Sequence, residues 1–167
     1  MGAKSEALAK QFEAKAQEAM ATLEQLSDAD WKKVTEAEKW SVGVTAHHLA
    51  GALEPISRMV EAVGAGQSLH GFGLDRLDEM NAKHAKDYAD CTRAETIALH
   101  KKGVAAAAAT IKGLSDEQLA KSGTLAPGVP PMTAEQLITR ALLDHIDEHF
   151  GSIRKTIGRL EPRRAGM

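Results

Sequence analysis

Residues 142–153 read LLDHIDEHFGSI. Read at helical pitch, Ile138, Ala141, Leu142, His145, His149 and Ile153 fall on one stripe, spaced by three and four residues. Asp144 and Glu148 fall on another flank. Two imidazoles therefore occupy the face that a helix ordinarily gives to leucine. The spacing predicts a helix whose burying side carries His145 and His149 one turn apart, able to converge on a single ion. It is not the zincin pattern, which needs glutamate directly after the first histidine; Ile146 stands there. Glu148 cannot inherit that base role by position.

Upstream, the chain is organised for helices. TAEQ at 133–136 is a capping box that opens this helix, which the pattern carries to about Leu160, with Gly158 and Pro162 near its end. SGTLAPGVPPM, 122–132, is the clearest loop. TRAE at 92–95 is a second capping box and opens a helix to about Lys112 through the alanine run 105–109. Leu74, Leu77, Met80, Asn81 and His84 suggest a further helix, interrupted near Asp90. Ser41 is the expected N-cap of a helix running to about Val63, with Pro55 inside it as a candidate kink. Residues 5–26 carry Leu8, Phe12, Leu23 and Leu26 at helical spacing. LSDADW at 26–31 and LSDEQL at 114–119 read as short capped turns. No strand-like alternation is present. Four long amphipathic segments joined by short or medium connectors predict an all-α fold, a four-helix bundle. We expect one domain over 1–167, with an ordered core of about 5–160 and a short basic C-terminal tail.

Bulk properties narrow the function. Twenty-one basic against 23 acidic side chains leave a formal net charge of −2, with no footprint for nucleic acid or an anionic membrane. RKTIGRLEPRRAGM, 154–167, lacks interleaved aromatics and reads as a solvated tail. Cys91 is the sole cysteine, which excludes an internal disulfide and fits a reducing cytoplasm. MGAKSEALAK has no apolar stretch of signal-peptide length, and Glu6 breaks the myristoylation pattern. No stretch approaches the ~20 apolar residues of a membrane span.

A facing helix could supply a third ligand. In TAHHLAGALEPI, 45–56, His48 shares a stripe with Val44, Ala52, Ile56 and Met59, whereas His47 shares one with Gly51, Glu54, Arg58 and Glu61. His48 is therefore expected to face in, and His47 to face out or lie at the edge. His100, on a stripe with Ile97, Val104 and Ile111, is a weaker candidate for a fourth ligand or supporting partner. A lone inward histidine is more often a hydrogen-bonded core residue, and several could form a polar network or a wet cleft. Each unpaired buried polar group costs ~1–3 kcal/mol, so a cluster needs a common cause, and one bound cation supplies it. Elsewhere, Cys91 has no nearby basic cluster and reads as an inert thiol. The glycines of GAGQSLHGFG lack a phosphate-loop setting. Trp31 and Trp40 read as packing residues.

LSDADWKKVTEAEKWSVGVTAHHLAG, 26–51, followed far downstream by LLDHIDEHFGSIRKTIG, 142–158, resembles the DinB/YfiT-like metalloenzyme superfamily. The shared features are Trp-Ser, six residues, His-Leu on the second helix and His-x-x-x-His on the last. The resemblance implies a four-helix bundle, often dimeric, holding a divalent ion such as zinc or nickel. Counted from Trp40, the ligands it implies are His48, His145 and His149. Phe150 stands where many relatives have arginine. Activities known in the superfamily include thiol S-transferases that use bacillithiol or mycothiol, and maleylpyruvate isomerase. The expectation is a metal-dependent enzyme passing a low-molecular-weight thiol to an electrophile, with zinc or nickel as the cofactor. The alternatives are a non-catalytic metal or small-ligand binding bundle, and a metal-dependent hydrolase. Its expected partners are a small-molecule substrate and a second copy of itself, packed through the alanines of 104–111. The 122–132 loop is expected to close the bundle end near His48, and Asp144 and Glu148 to be dispensable.

Overall fold

A computed structural model describes residues 2–69 and 74–158. Helix α1, Ala3–Gln25, buries Leu8, Phe12, Ala16, Ala19 and Leu23, the stripe that its spacing dictates. Ser27 closes a capping box over the five-residue α2, Asp28–Lys32. Helix α3, Val42–Gly64, starts where the Ser41 hydroxyl accepts the Val44 N–H at 3.0 Å. It continues through Pro55 without a break. Proline at 55 leaves the carbonyl four residues back, that of Gly51, without an amide donor; Gly51 lies on the exposed side of the helix, where that loss costs least. Helix α4 spans Leu74–Asp87. Helix α5, Arg93–Lys112, begins at the Thr92/Glu95 capping box. The short α6, Asp116–Ala120, repeats the device at Ser115.

The Thr133/Gln136 capping box opens α7, Ala134–Leu137, which runs without interruption into a π-helical segment, Ile138–Leu143, and then into α8, Asp144–Thr156. The π segment shifts the ladder by one residue, the Asp144 N–H reaching the Thr139 carbonyl five back. Such insertions recur beside functional residues, and this one ends just before His145. The α8 helix stops at Thr156, and Gly158 follows at φ +80°, a left-handed turn that suits glycine. Leu160, Pro162 and most of the basic tail lie outside the described residues, as does the 71–73 GFG.

Helices α1, α3, α5 and the continuous 134–156 run form a four-helix bundle around Phe12, Leu23, Leu49, Leu53, Ile111 and Phe150, all buried. The tightest contact is α3 on α5. A Cβ on Gly103 would lie 2.8 Å from Leu53 Cβ and 3.2 Å from the Ala50 carbonyl, so only glycine permits that approach. The Arg93 guanidinium donates to the Leu26 carbonyl, pinning the start of α5 to the end of α1. No helix among the described residues is long and apolar enough to cross a membrane.

Beside the helices the described residues hold a little extended structure. A small antiparallel pair exists: β1, Ser122–Gly123, with β2, Met132–Thr133. Two residues per strand are too few to show an alternating pattern. The 122–132 loop also lies at the wrong end to gate His48. The Leu69 N–H donates to the Thr124 carbonyl at 2.8 Å, and Gly123 packs on Gln67 and Val63, beyond the C-terminal half of α3. At 1.5 Å per residue, Val63 is about 22 Å along the helix from His48. The loop does precede the histidine-bearing helix, but eleven residues separate Ala134 from His145, and they carry the chain away from the loop.

Candidate metal centre

The site is built where the first turns of α3 meet α8. His48 comes from α3, His145 and His149 from successive turns of α8. The ring centroids are 5.6 Å apart for His48–His145, 5.1 Å for His48–His149 and 4.6 Å for His145–His149, all in edge-to-face arrangements. One nitrogen of each lies within 4.8 Å of the others. Atoms so spaced lie no more than about 2.8 Å from a common centre, so side-chain shifts under about 1 Å would bring them to zinc–imidazole distance.

The electrostatics suit a cation. Burial, and then repulsion from the His149, His145 and His84 imidazoles, push the His48 pKa down to about 3, against which Glu38 pulls weakly. Burial and then His149 push His145 down to about 4; the Ala141 backbone opposes this, although His145 Nδ1 completes no full hydrogen bond. Both rings are therefore neutral near pH 7 and present lone pairs, the state that a metal ligand needs.

Behind the trio stands a carboxylate that sequence reasoning missed. His149 Nδ1–H donates to Glu38 Oε1 at 3.0 Å, and the Ser152 hydroxyl donates to Glu38 Oε2 at 2.7 Å. Burial pushes the Glu38 carboxyl up, but the hydrogen bonds from Ser152, Thr35 and His149 outweigh it and hold the group below the usual glutamate range. An ionised Glu38 engages His149 Nδ1–H and leaves Nε2 as the nitrogen available to a ligand. This is the carboxylate–imidazole pairing that orients metal-binding histidines. Glu38 reaches the site from the connector between α2 and α3. That connector is held by Thr35 N–H to the Trp40 carbonyl at 2.8 Å and Val42 N–H to the Lys33 carbonyl at 2.7 Å, and it turns through Lys39 at φ 61°. Nothing periodic marks such a residue; its only signal is its place two residues before Trp40. Trp40 itself tilts against His48 at 5.1 Å, lining the site rather than filling the core. Trp31 is the packing residue, its indole donating to the Cys91 carbonyl at 2.9 Å and filling the space above Gly43.

The other candidates fall elsewhere. His47, expected to face out or lie at the edge, is buried: α4 covers that flank of α3, His47 Nδ1 is 2.8 Å from His84 Nε2, and the Tyr88 ring stacks on His47 at 4.1 Å. His100 does not join the trio. It is a core histidine whose Nε2 bonds to the Ala16 carbonyl at 3.1 Å. Asp144 and Glu148 are exposed, off the histidine face. Phe150 is fully buried, on the His100 side of the core. Cys91 is buried with its thiol pushed up, chiefly by that burial, as befits an inert group.

Comparison with known proteins places this four-helix bundle in a family. The DinB superfamily sequence model matches residues 11–153, and the chain belongs to that family. Among solved structures it is similar to YfiT of Bacillus subtilis, described as "a probable metal-dependent hydrolase with an unusual four-helix bundle topology". Identity there is 14%, coverage 95% of this chain and 91% of that one, and the TM-score 0.74. It is also similar to the mycothiol-dependent maleylpyruvate isomerase, at 12% identity over 89% of this chain and TM-score 0.70, where it spans 60% of that protein's length. A histidine-to-alanine variant of that isomerase matches at 14% identity, 93% and 67% coverage and TM-score 0.67. At these identities the likeness is one of fold. No curated protein is similar enough in sequence to match the chain.

Proposed function

We propose that the protein is a divalent-metal-dependent enzyme, with His48, His145 and His149 as its protein ligands and zinc or nickel as its metal, and that it transfers a low-molecular-weight thiol to an electrophile. The observation that carries this is the convergence of three imidazole nitrogens within 4.8 Å, one of them backed by an ionised carboxylate. A bound divalent ion with three protein ligands keeps a position for a small molecule and acts there as a Lewis acid, favouring the deprotonated form of a thiol or water. The chain's own residues then have distinct tasks. His48 and His145 stay neutral and bind. Glu38 holds His149 in the binding tautomer. Trp40 shields one side of His48.

The choice of thiol transfer over hydrolysis rests on Glu38. A metal-bound hydroxide and a metal-bound thiolate would both be nucleophiles without a separate base, but ester or amide hydrolysis also gains from a carboxyl that passes a proton to the leaving group, and the Glu38 carboxylate has both oxygens engaged, by His149 and by Ser152. Addition of a thiolate to an electrophile makes less demand on such a group. The mycothiol dependence of the maleylpyruvate isomerase favours the same reading, and the description of YfiT favours the hydrolase. The test is to assay zinc-loaded, nickel-loaded and chelator-treated protein with bacillithiol, mycothiol and glutathione against a model electrophile, and with activated esters and amides in parallel. Metal-dependent thiol consumption that survives in Glu148→Gln supports the proposal. Metal-dependent ester cleavage without thiol turnover transfers it to the hydrolase. Tight metal binding with neither activity leaves a binding bundle.

A further inference from the structure

Helix α4 has no part in the three-histidine cluster, yet it places an imidazole against it. His84 lies edge-on to His48, with ring centroids 5.6 Å apart. Its Nε2 shares a proton with His47 Nδ1 at 2.8 Å. Tyr88, one turn further along, packs on His47 at 4.1 Å and on His84 at 4.9 Å, so the pair is held from outside. The remaining nitrogen, His84 Nδ1, is shut off from water and has no protein partner. A nitrogen left in that state costs ~1–3 kcal/mol. If His84 served only to seat α4 on α3, an apolar side chain would do so without that penalty.

We propose that His84 contacts the substrate: through Nδ1 it hydrogen-bonds the small thiol occupying the open position beside His48, and His47 is the positioning residue that holds it there. This rests on the three-histidine cluster being a metal centre with an open position. The bonding selects one tautomer. One proton lies between His47 Nδ1 and His84 Nε2. A metal-bound thiolate has no proton to give, so His47 carries that proton on Nδ1, His84 Nε2 accepts it, and His84 Nδ1–H donates to the thiolate. The α4 helix, with Leu77 and Met80 exposed on it and Tyr88 just past its end, then acts as the wall of the substrate site on the His47 flank of α3.

Cobalt-substituted full-length protein titrated with 2-mercaptoethanol tests this, because sulfur–cobalt absorption reports occupancy without any turnover. His84→Leu keeps the bulk that seats α4 and removes the hydrogen bond; His84→Gln keeps a polar group in reach. The expected result is that His84→Leu weakens thiol binding ~10–100-fold, the scale of one hydrogen bond to a charged group. His84→Gln should recover part of that loss, with cobalt affinity unchanged in both variants. Thiol affinity within about twofold of the parent in His84→Leu, or equal weakening in Leu and Gln, overturns the role of His84 and leaves the metal centre standing. If the unaltered cobalt protein shows no sulfur–cobalt absorption at any thiol concentration, the open position fails, and this proposal fails with it.

Discussion

Replacing Glu38 by glutamine removes the charge behind the cluster while keeping the shape. The parent carboxylate accepts from His149 Nδ1 and from the Ser152 hydroxyl, and its side chain is 8% exposed, so water screens these bonds little. A hydrogen bond to a charged group contributes ~1.5–3 kcal/mol against ~0.5–1.5 for a neutral one. The glutamine carbonyl can still accept from His149, so the loss is the difference, about 1–1.5 kcal/mol, roughly tenfold in affinity. That is the lower edge of the ~10–100-fold typical for groups that orient metal-binding histidines. The glutamine amide cannot accept from Ser152, and if it flips to face His149 the binding tautomer is lost and the effect grows towards 100-fold. The assay is a zinc competition titration against a chromophoric chelator at pH 7.5. Glu36→Gln is the control, since Glu36 is exposed and its ion pair is with Lys155 at 3.5 Å, away from the histidines. Zinc affinity of Glu38→Gln within twofold of the parent, or an equal fall in Glu36→Gln, would refute the reasoning.

His48→Ala should abolish tight zinc binding, whereas His47→Ala should largely retain it; equal losses in a calorimetric titration would mean that His47 supports the metal directly. Gly103→Ala should destabilise the fold by ~1–3 kcal/mol in urea unfolding, because its Cβ would overlap Leu53; an unchanged midpoint would contradict the close packing of α3 on α5. Metal-free protein should lose stability on acidification. His48 and His145, at about 3 and about 4 when folded, refuse protons that the unfolded chain takes up below ~6.5, so their contribution is complete above that pH and falls as pH drops towards 4. Each contributes a slope of up to ~1.4 kcal/mol per pH unit, and urea midpoints flat between pH 7.5 and 5 would refute it. We expect a homodimer through the alanine-rich 104–111 of α5, where Ala105 and Ala109 are exposed; a monomer mass by light scattering at tens of micromolar would rule it out.

What could be read from the chain alone was whatever repeats at the period of a helix or sits at its ends. Ser41, Thr92, Ser115 and Thr133 announce helix starts because a short polar side chain there accepts an N–H that the helix leaves free, a bond made within four residues. His145 and His149 meet because four residues make about one turn, and His48 separates from His47 because one residue makes about 100°. Those relations are local, so sequence spacing suffices for them.

Only the tertiary structure decided what surrounds them. Glu38 lies in an irregular connector with no period, and it meets His149, 111 residues away, because α2 and Trp31 fold that connector back along α3. Angle separates His47 from His48 but says nothing about whether another helix will cover that side, and α4 does. The 122–132 loop is adjacent in sequence to the histidine-bearing helix and remote from its histidines, since a helix carries its residues away from its own start at 1.5 Å each. Periodicity determines which face a residue occupies; which neighbour meets that face depends on how the helices pack, and contacts between residues tens of positions apart leave no mark in local spacing.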